Sequence, residues 1–335
     1  MEFKVVKEKF EFLNPMKDMA KDTQVVEYRE DPLTGMTCIY NPATAEKAKR
    51  FYGPTDREAL REFAGQTKES CFFCPEKLES SAAQFVEFGN LRKGEAVIFP
   101  NLYAAYHDSA VIVLTEKHFL ELNEFDPEIF YNAISLGTEY LKRRYEEGKI
   151  KYGVLGGNYL PPAGASIVHP HMHVLSSRTP FSVLKAMIEN TENYYQENNV
   201  NMIDDILKAK ERYIGKFGEM HLYVPFAPLG NNEVDGIVRK HSLLELGEEE
   251  IEDIASLLVK VLKWYYDEGF SSYNFLLYGG ALDGTDKLYC GIKVISRQNF
   301  SQYYVNDMWY LLKILHESLI FESPERTAEK LRKAL

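Results

Sequence analysis

The 335-residue sequence has no long unbroken apolar run, few cysteines, and fewer basic than acidic residues. Without an apolar run of about 20 residues, no transmembrane helix is expected. The opening residues MEFKVVKEKFEF alternate charged and apolar side chains and lack the apolar core of a secretory signal, so a cytoplasmic location is expected. A formal net charge of −11 argues against a nucleic-acid duplex as partner. An anionic small molecule remains allowed, because local donors can bind phosphate within an acidic protein.

The four cysteines are too few for a disulfide framework, but two of them form the motif Cys71-Phe-Phe-Cys74-Pro. A spacing of two residues lets both thiolates reach one tetrahedral metal ion. A redox pair is the alternative, although a thioredoxin-like pair begins a helix directly after a strand. Polar residues flank this motif, and downstream histidines could complete four ligands, so zinc is favoured. Cys38 and Cys290 are predicted to be small buried apolar residues.

A weak internal repeat predicts the fold. Residues 111–122 and 235–246 each contain a β-rich run, then Lys-His, then an apolar segment that ends Glu-Leu. An amphipathic helical stretch follows each copy, at about 127–147 and 248–268, and two β-rich runs come next. This order predicts an α+β fold of two tandem half-units, with antiparallel sheets and helices packed on them.

The strongest local signal is His169-Pro-His171-Met-His173, because strand alternation points three imidazoles toward one face. Chance histidines on a surface strand and an all-histidine metal site are two interpretations. A histidine nucleophile with supporting histidines is the favoured one. The preceding loop, Asn158-Tyr-Leu-Pro-Pro-Ala-Gly164-Ala-Ser166, has glycine for tight turns and polar groups able to bind phosphate oxygens.

Together these residues resemble the galactose-1-phosphate uridylyltransferase branch of the histidine-triad superfamily. Its members carry CxxC, a histidine after a strand, an asparagine and, eleven residues later, His-Pro-His, with Gly and Ser between. This chain has the same order in Cys71, Cys74, His118, Asn158, Gly164, Ser166, His169 and His171. Further matches are Asp31-Pro-Leu-Thr-Gly35, Phe99-Pro-Asn101 and the terminal stretch 327–332, so the resemblance covers nearly the whole chain.

The resemblance implies a nucleotidyltransferase in which His171 carries a nucleoside monophosphate as a covalent intermediate. Donor and acceptor would be a nucleoside diphosphate compound and a phosphate or sugar phosphate. A structural zinc would be held by Cys71, Cys74, His118 and His169. The catalytic set would be His171, His173 and Ser166, and the nucleotide-binding set Phe99, Asn101, Asn158, Gly164, Ser166 and His173. A homodimer with the site near the subunit boundary is also expected.

The half-units are predicted as residues 1–180, with the zinc site and nucleophile, and residues 181–335, without catalytic histidines. Residues 182–217 are predicted to form two helices that connect the halves. A further helix is expected to begin near Asn306, and Ser323 is expected to cap the last helix, with proline in its first turn.

The sequence departs from the family pattern in three places. His173 stands where the transferases have glutamine, which is typical of histidine-triad hydrolases, so hydrolysis of nucleotide conjugates is a second hypothesis. The second half has Gly291 and Lys293 where some members bind an extra metal. The family's hexose-phosphate loop is absent, and residues 306–310 occupy its place, which disfavours galactose-1-phosphate as acceptor. A non-catalytic nucleotide-binding protein is the third hypothesis.

Three other residues allow two interpretations each. His107 competes with His118 as third metal ligand, and His118 is preferred because it follows the strand at 111–115. His241 is the repeat counterpart of His118, and it is predicted to be structural because its half has no CxxC. Lys293 aligns with His171 in the repeat, where it could bind phosphate or simply be solvated.

Overall fold

The computed structural model describes residues 1–45, 53–301 and 307–335. The α-helices in these ranges are α1 Arg57–Lys68, α2 Pro75–Ser81, α3 Pro127–Glu146, α4 Ser182–Asn198, α5 Met202–Ile206, α6 Glu248–Asp267, α7 Tyr310–Ile314 and α8 Pro324–Ala334. The strands are β1 Val5–Asn14, β2 Ala20–Glu30, β3 Thr37–Tyr40, β4 Leu91–Lys93, β5 Ala96–Pro100, β6 Asp108–Val113, β7 Tyr152–Tyr159, β8 His171–Ser177, β9 Tyr213–Phe217, β10 Met220–Tyr223, β11 Val234–Val238, β12 Tyr273–Tyr278, β13 Cys290–Ser296 and β14 Ser318–Ile320.

The centre of the fold is a ten-stranded antiparallel sheet in the order β4-β5-β6-β8-β7-β12-β13-β11-β10-β9. Strands β4 to β8 come from the first copy of the repeat and β9 to β13 from the second. The copies meet where β7 pairs with β12, with Asn158 opposite Asn274. The predicted α+β class with antiparallel sheets is confirmed, and the two half-units share one continuous sheet. The division at residue 180 stays a prediction.

Helices α3 and α6 pack on one face of this sheet, as the repeat predicts. Each is twenty residues long and begins and ends within one residue of the predicted bounds. The main core joins Phe130 and Leu258 of these helices to the sheet residues Ile112 and Met172. At Gly137 an added Cβ would lie 2.4 Å from a Leu155 methyl, so the glycine lets α3 approach the sheet closely. Each fully buried Leu, Ile, Phe or Met side chain contributes about 1.5–3 kcal/mol to such packing.

The opposite face differs between the halves. In the first half it carries a small apolar cluster, Leu78, Val97, Phe99, Val111 and Val113, beside the histidines of β8. In the second half it is covered by the segment around Leu33 and by α4 and α5, whose residues Leu184, Met187, Ile203 and Ile206 pack on Tyr223, Ile237 and Tyr278.

A second, four-stranded sheet has the order β1-β2-β3-β14. The Asp31–Gly35 motif follows β2 as a turn, in which the Asp31 carboxylate accepts from Leu33 N at 2.8 Å and Gly35 has φ +72°. That left-handed conformation favours glycine. The turn carries Leu33 onto the second half of the large sheet.

The structure corrects one sequence prediction about the C-terminal half, the helices of residues 182–217, and agrees with another, the cap of the last helix. Residues 182–206 do form two helices, but 213–217 form the edge strand β9 instead of helix. Tyr213 to Phe217 is rich in aromatic and branched residues and turns back at Gly218 (φ +54°) to pair with β10. Ser323 caps α8 by accepting from Arg326 N, as predicted. Asn306 lies outside the described residues. Among the described helices, none has the length and apolarity needed to cross a membrane.

Candidate metal centre and active site

Cys71, Cys74, His118 and His169 converge on one buried point, and their ligand atoms all lie within 4.8 Å of one another. The Nδ1 atom of His169 is 3.7 Å from Cys71 Sγ and 3.6 Å from Cys74 Sγ, and His118 Nδ1 is 3.4 Å from Cys74 Sγ. In a tetrahedral zinc site, bonds of about 2.3 Å to sulfur and about 2.1 Å to nitrogen place the two atoms about 3.6 Å apart. The spacing therefore fits a Cys2His2 metal site.

Both histidines have their other ring nitrogen occupied by a backbone carbonyl. Nε2–H of His169 donates to Thr115 O at 2.7 Å, and Nε2–H of His118 donates to Ala64 O at 3.0 Å. Carbonyl partners fix the tautomer that leaves Nδ1 free to ligate, as outer contacts of metal-bound histidines do. Burial also lowers the pKa of both rings, that of His169 to about 4, so both are neutral at pH 7. His107, the competing candidate, is exposed and lies apart from this cluster.

The two cysteines lie between short helices that hold them in place. Cys71 follows α1, and Cys74 directly precedes Pro75, the first residue of α2. The Phe73 amide donates to Cys71 Sγ at 3.4 Å. Burial and the neighbouring Cys71 raise the pKa of Cys74 to about 11, so a thiolate here needs a compensating cation. The donor set thus fits a thiolate-binding metal ion.

His171 begins β8 and lies two residues beyond the ligand His169. Its Nδ1–H donates to the His169 carbonyl at 2.8 Å. Since a carbonyl only accepts, Nδ1 carries the proton and Nε2 carries a free lone pair. Burial lowers the pKa of this imidazole to about 4, so the ring is neutral at pH 7. Phe73 contacts its ring edge-on, with centroids 5.3 Å apart.

His173 is half-buried beside His171, with ring centroids 5.3 Å apart. It pairs with Val111 on one side and Gly156 on the other. Because cross-strand partners share a face, His173 and Gly156 lie on the face opposite α3 and α6. Burial lowers the pKa of His173 as well. The sequence prediction that three alternate histidines share one strand face agrees with the structure for His171 and His173. His169 precedes β8 and joins the metal cluster instead.

The loop between β7 and β8 turns tightly before the ligand His169. Leu160 has φ +68°, an unusual conformation for a side-chain-bearing residue, and it is fully buried in the main core. Gly164 has φ +93°, and its N–H donates to Pro161 O. Gly164 and Ser166 are exposed at the outside of the turn, and Asn158 is exposed at the end of β7. A strained residue at this position suggests a functional loop.

Phe99 and Asn101 lie at the end of β5 on the same side of the sheet. Phe99 pairs with Val111, the neighbour of His173, and its ring is 5.8 Å from that of Phe73. Asn101 follows β5, and its Oδ1 accepts from Tyr103 N at 3.0 Å. Phe73 thus joins the metal cluster, His171 and Phe99. Sequence reasoning treated Phe73 only as a spacer in CxxC, and no local pattern marks it as part of a site.

In the second half Lys293 occupies β13, and it is neither solvated nor free. It is 5% exposed, and its ammonium lies 3.0 Å from Glu233 Oε1 and 2.6 Å from Asp235 Oδ2. Of the two interpretations of Lys293, solvation is wrong, because the buried acidic side chains of Asp235 and Glu233 contact its ammonium inside the protein. Phosphate binding by Lys293 stays a prediction. The predicted burial of Cys38 and Cys290 agrees with their full burial in the structure.

Comparison with known proteins begins with an uncharacterized protein of Archaeoglobus fulgidus. It is 31% identical over 317 residues, which cover 93% of each chain. The chain belongs to the family of this archaeal protein. No family model matches the sequence. A curated ADP-glucose phosphorylase of Arabidopsis thaliana is 21% identical over 297 residues, which cover 79% of this chain and 81% of that one.

Solved structures also share the fold of this chain, and three of them are similar over most of its length. The ADP-glucose phosphorylase of Arabidopsis thaliana with bound ADP-glucose has a TM-score of 0.73 at 18% identity, covering 92% and 99% of the two chains. A galactose-1-phosphate uridylyltransferase-like protein of the same plant scores 0.72 at 17% identity, again covering 92% and 99%. A uridylyltransferase scores 0.65 at 19% identity, covering 76% and 88%. The resemblance to the uridylyltransferase-like proteins is thereby confirmed.

Proposed function

We propose that the chain is a nucleotidyltransferase that works by double displacement through a nucleotide bound covalently to His171. The observation that carries the proposal is the state of His171. Its Nδ1–H is held by the His169 carbonyl, which leaves the Nε2 lone pair free, and the ring lies on the face of the sheet opposite α3 and α6. A neutral imidazole held in one tautomer is a suitable nucleophile near pH 7.

In the first step the Nε2 lone pair attacks the α-phosphorus of a nucleoside diphosphate compound. The nitrogen–phosphorus bond forms as the bond to the bridging oxygen breaks, and the phosphorylated leaving group departs with that electron pair. The positive charge on the ring is offset by the Nδ1–H hydrogen bond to the His169 carbonyl. In the second step an oxygen of inorganic phosphate or a sugar phosphate attacks the same phosphorus, and the electron pair returns to Nε2.

The surrounding residues have separate proposed roles. Asn158 and Ser166 donate hydrogen bonds to the oxygens of the transferred phosphate, and Gly164 provides the turn that places Ser166 beside them. His173 faces the same group beside the nucleophile. Phe99 and Asn101 lie farther along the sheet and would contact the nucleoside. These assignments rest on the shared face of the sheet and on the position of the loop before His169.

Zinc is the proposed metal at the Cys71, Cys74, His118 and His169 cluster. Two thiolates and two imidazoles form a closed set with no position for substrate, which is typical of structural zinc. When bound, the ion would tie the segment before β8 to α1 and α2 and so contribute folding free energy. A homodimer and a cytoplasmic location, both expected from the sequence, complete the proposal; light scattering and cell fractionation test them.

Phosphorolysis of a nucleoside diphosphate sugar is the form of the reaction favoured by the relatives. The curated relative and one solved structure are ADP-glucose phosphorylases, and the latter contains ADP-glucose. Hydrolysis is the second candidate function, because His173 lies beside His171 where it can exchange a proton with water or a leaving group.

The deciding experiment incubates the zinc-loaded protein with nucleoside diphosphate sugars and dinucleoside polyphosphates, with and without inorganic phosphate. Intact mass identifies the nucleotide retained on the protein, and chromatography identifies the products. A nucleoside diphosphate product that requires phosphate supports transfer, whereas a nucleoside monophosphate formed without phosphate supports hydrolysis. A protein that retains no nucleotide and forms no product from the whole panel would argue for the non-catalytic binding protein.

A further inference from the structure

The two halves of the large sheet meet directly beside the loop that precedes His169. At this junction β7 pairs with β12, and Asn158 lies opposite Asn274. The Asn274 amide nitrogen donates to Asn158 Oδ1 at 2.6 Å and to the Ala163 carbonyl at 3.0 Å. One side chain of the C-terminal half therefore contacts both the end of β7 and the first half of the loop between β7 and β8.

Arg297, which follows β13, determines the orientation of Asn274. Its Nη1 donates to Asn274 Oδ1 and lies 3.5 Å from Ala163 O, and its Nε donates to Asp307 Oδ2 at 2.8 Å. Since a guanidinium has only donors, the amide oxygen of Asn274 must face it, and the amide nitrogen must face Asn158. The Arg297 side chain is 12% exposed, so this arrangement is shielded from water.

The hydrogen bonds from Arg297 to Asn274 and from Asn274 to Asn158 determine which atoms Asn158 presents to a ligand. Its Oδ1 accepts from Asn274, so its amide nitrogen keeps N–H donors for another partner. Gly156 pairs with His173, and two residues beyond this pair on each strand lie Asn158 and His171. Asn158 is exposed on this face. The ionised oxygens of a phosphate accept hydrogen bonds and donate none. If the Asn158 amide were turned the other way, its oxygen would face the phosphate oxygens and repel them.

We propose that Arg297 and Asn274 are positioning residues for nucleotidyl transfer. Arg297 orients Asn274, and Asn274 turns the N–H donors of Asn158 toward the transferred phosphate while it holds the Ala163 carbonyl. This inference rests on the proposed function, because it concerns the phosphate that His171 would receive. It gives the C-terminal half, which lacks the catalytic histidines, a direct part in phosphate binding.

Asn274→Asp separates this role from a merely structural one. A carboxylate has the shape of the amide and still accepts from Arg297, so the contact between the halves is kept and strengthened by charge. It cannot donate to Asn158 or to the Ala163 carbonyl. Asn158 must then donate to it and present Oδ1 to the phosphate. A structural role predicts little change in function, whereas a positioning role predicts loss of phosphate binding with folding intact.

The experiment measures calorimetric affinity of the zinc-loaded full chain for AMP, UMP and inorganic phosphate, together with the rate of nucleotide labelling. Asn274→Asp should weaken monophosphate binding about 10- to 100-fold, the loss expected for hydrogen bonds to a charged group, with the melting temperature nearly unchanged. In an Asn158→Ala background the same change should cost at least about 3-fold less than in wild type, because only the lost Ala163 contact and the added charge then remain. Asn190→Asp, which alters a donor to Leu33 O away from the loop, should match wild type.

Equal losses from Asn274→Asp in the wild-type and Asn158→Ala backgrounds would overturn the positioning role, as would unchanged affinity. If wild type binds a monophosphate but never becomes labelled, the proposed function fails while the affinities still test the positioning role. If wild type binds none of the three probes, both fail.

Discussion

The two halves of the ten-stranded sheet place different chemistry at matching positions. In the first half His173 pairs with Val111 and Gly156, and in the second half Lys293 pairs with Asp235 and Leu276. Gly156 and Leu276 pair with each other across the junction. His173 and Lys293 thus lie in one row across the sheet, one beside a neutral histidine and the other inside a buried ion-pair cluster.

A pair of neighbouring rings in each half extends the comparison. His118 and His169 have ring centroids 5.7 Å apart beside the two cysteines, and His241 and Tyr289 have centroids 5.1 Å apart in the second half. Among the residues that the structure describes, the ring pair of the second half belongs to no group of three or more His, Cys, Asp or Glu side chains that could hold a metal ion. The comparison teaches that the same strand arrangement can expose lone pairs to a ligand or close over an ion pair, depending on a few side chains.

The largest expected effect concerns the metal cluster of the first half. Cys71→Ser removes one thiolate from this cluster. In small zinc-finger peptides, binding of a structural zinc ion contributes about 10–16 kcal/mol. We expect loss of zinc and poor solubility, read by metal analysis and thermal unfolding. Cys290→Ser makes the same chemical change in the second half and should retain one zinc per chain. Full zinc occupancy and stability in Cys71→Ser would refute the cluster assignment.

The second effect concerns the buried ion pairs of the second half. Lys293→Met leaves Glu233 and Asp235 without their cation, and breaking a buried pair costs about 3–5 kcal/mol. We expect the free energy of unfolding in urea to fall by that amount, while zinc content and nucleotide labelling persist. The exposed lysine change Lys263→Met is the control and should cost less than about 0.5 kcal/mol. A stable Lys293→Met protein that has lost labelling would instead place Lys293 in the ligand site.

A third, smaller effect is the pH dependence of the stability provided by the buried cluster of Glu233, Asp235 and Lys293. Burial raises the pKa of Glu233 above its ordinary 4.5, although Lys293 opposes the shift and Asp235 adds to it. The folded protein then keeps a proton that the unfolded chain loses, so this group's contribution to stability falls as pH rises above about 4.5. Glu233→Gln cannot ionise. Its stability relative to wild type should therefore improve by about 1–2 kcal/mol between pH 5 and 8, and a pH-independent difference in urea unfolding would contradict this.

The smallest effect concerns His173, the counterpart of Lys293 in the row. His173→Gln keeps a hydrogen-bond donor and removes a group that can exchange a proton at neutral pH. We expect nucleotide labelling to survive and the ratio of transfer to hydrolysis to rise about 3- to 10-fold. The ratio is read from the products formed with and without phosphate. A variant that no longer labels would assign His173 a more direct part in the first step.

Much of the site was predictable because its signals are local. The CxxC spacing and the alternate histidines of residues 169–173 specify which atoms can meet, and the repeat specifies the strands that carry them. The choice of His118 over His107 also agrees with the structure, since only His118 joins the cluster.

The remaining features depend on strand pairing, which no local pattern shows. Asn274 and Arg297 reach the loop at Ala163 only because β7 and β12 are neighbours at the junction of the halves. The environment of Lys293 could not be predicted because its partners Glu233 and Asp235 lie about sixty residues away in sequence. Residues 213–217 are predicted as helix from their local sequence, but they form a strand because they pair with β10, the next strand along the chain.

The most direct test of the central claim locates the covalent nucleotide. Wild-type protein incubated with the donor that labels it is digested, and peptides spanning residues 169–173 are sequenced by mass spectrometry. The account predicts a nucleoside monophosphate on His171, and His171→Gly should carry none, retain zinc, and turn over several orders of magnitude more slowly. A nucleotide found on another residue, or labelling that persists in zinc-loaded His171→Gly, would contradict the account.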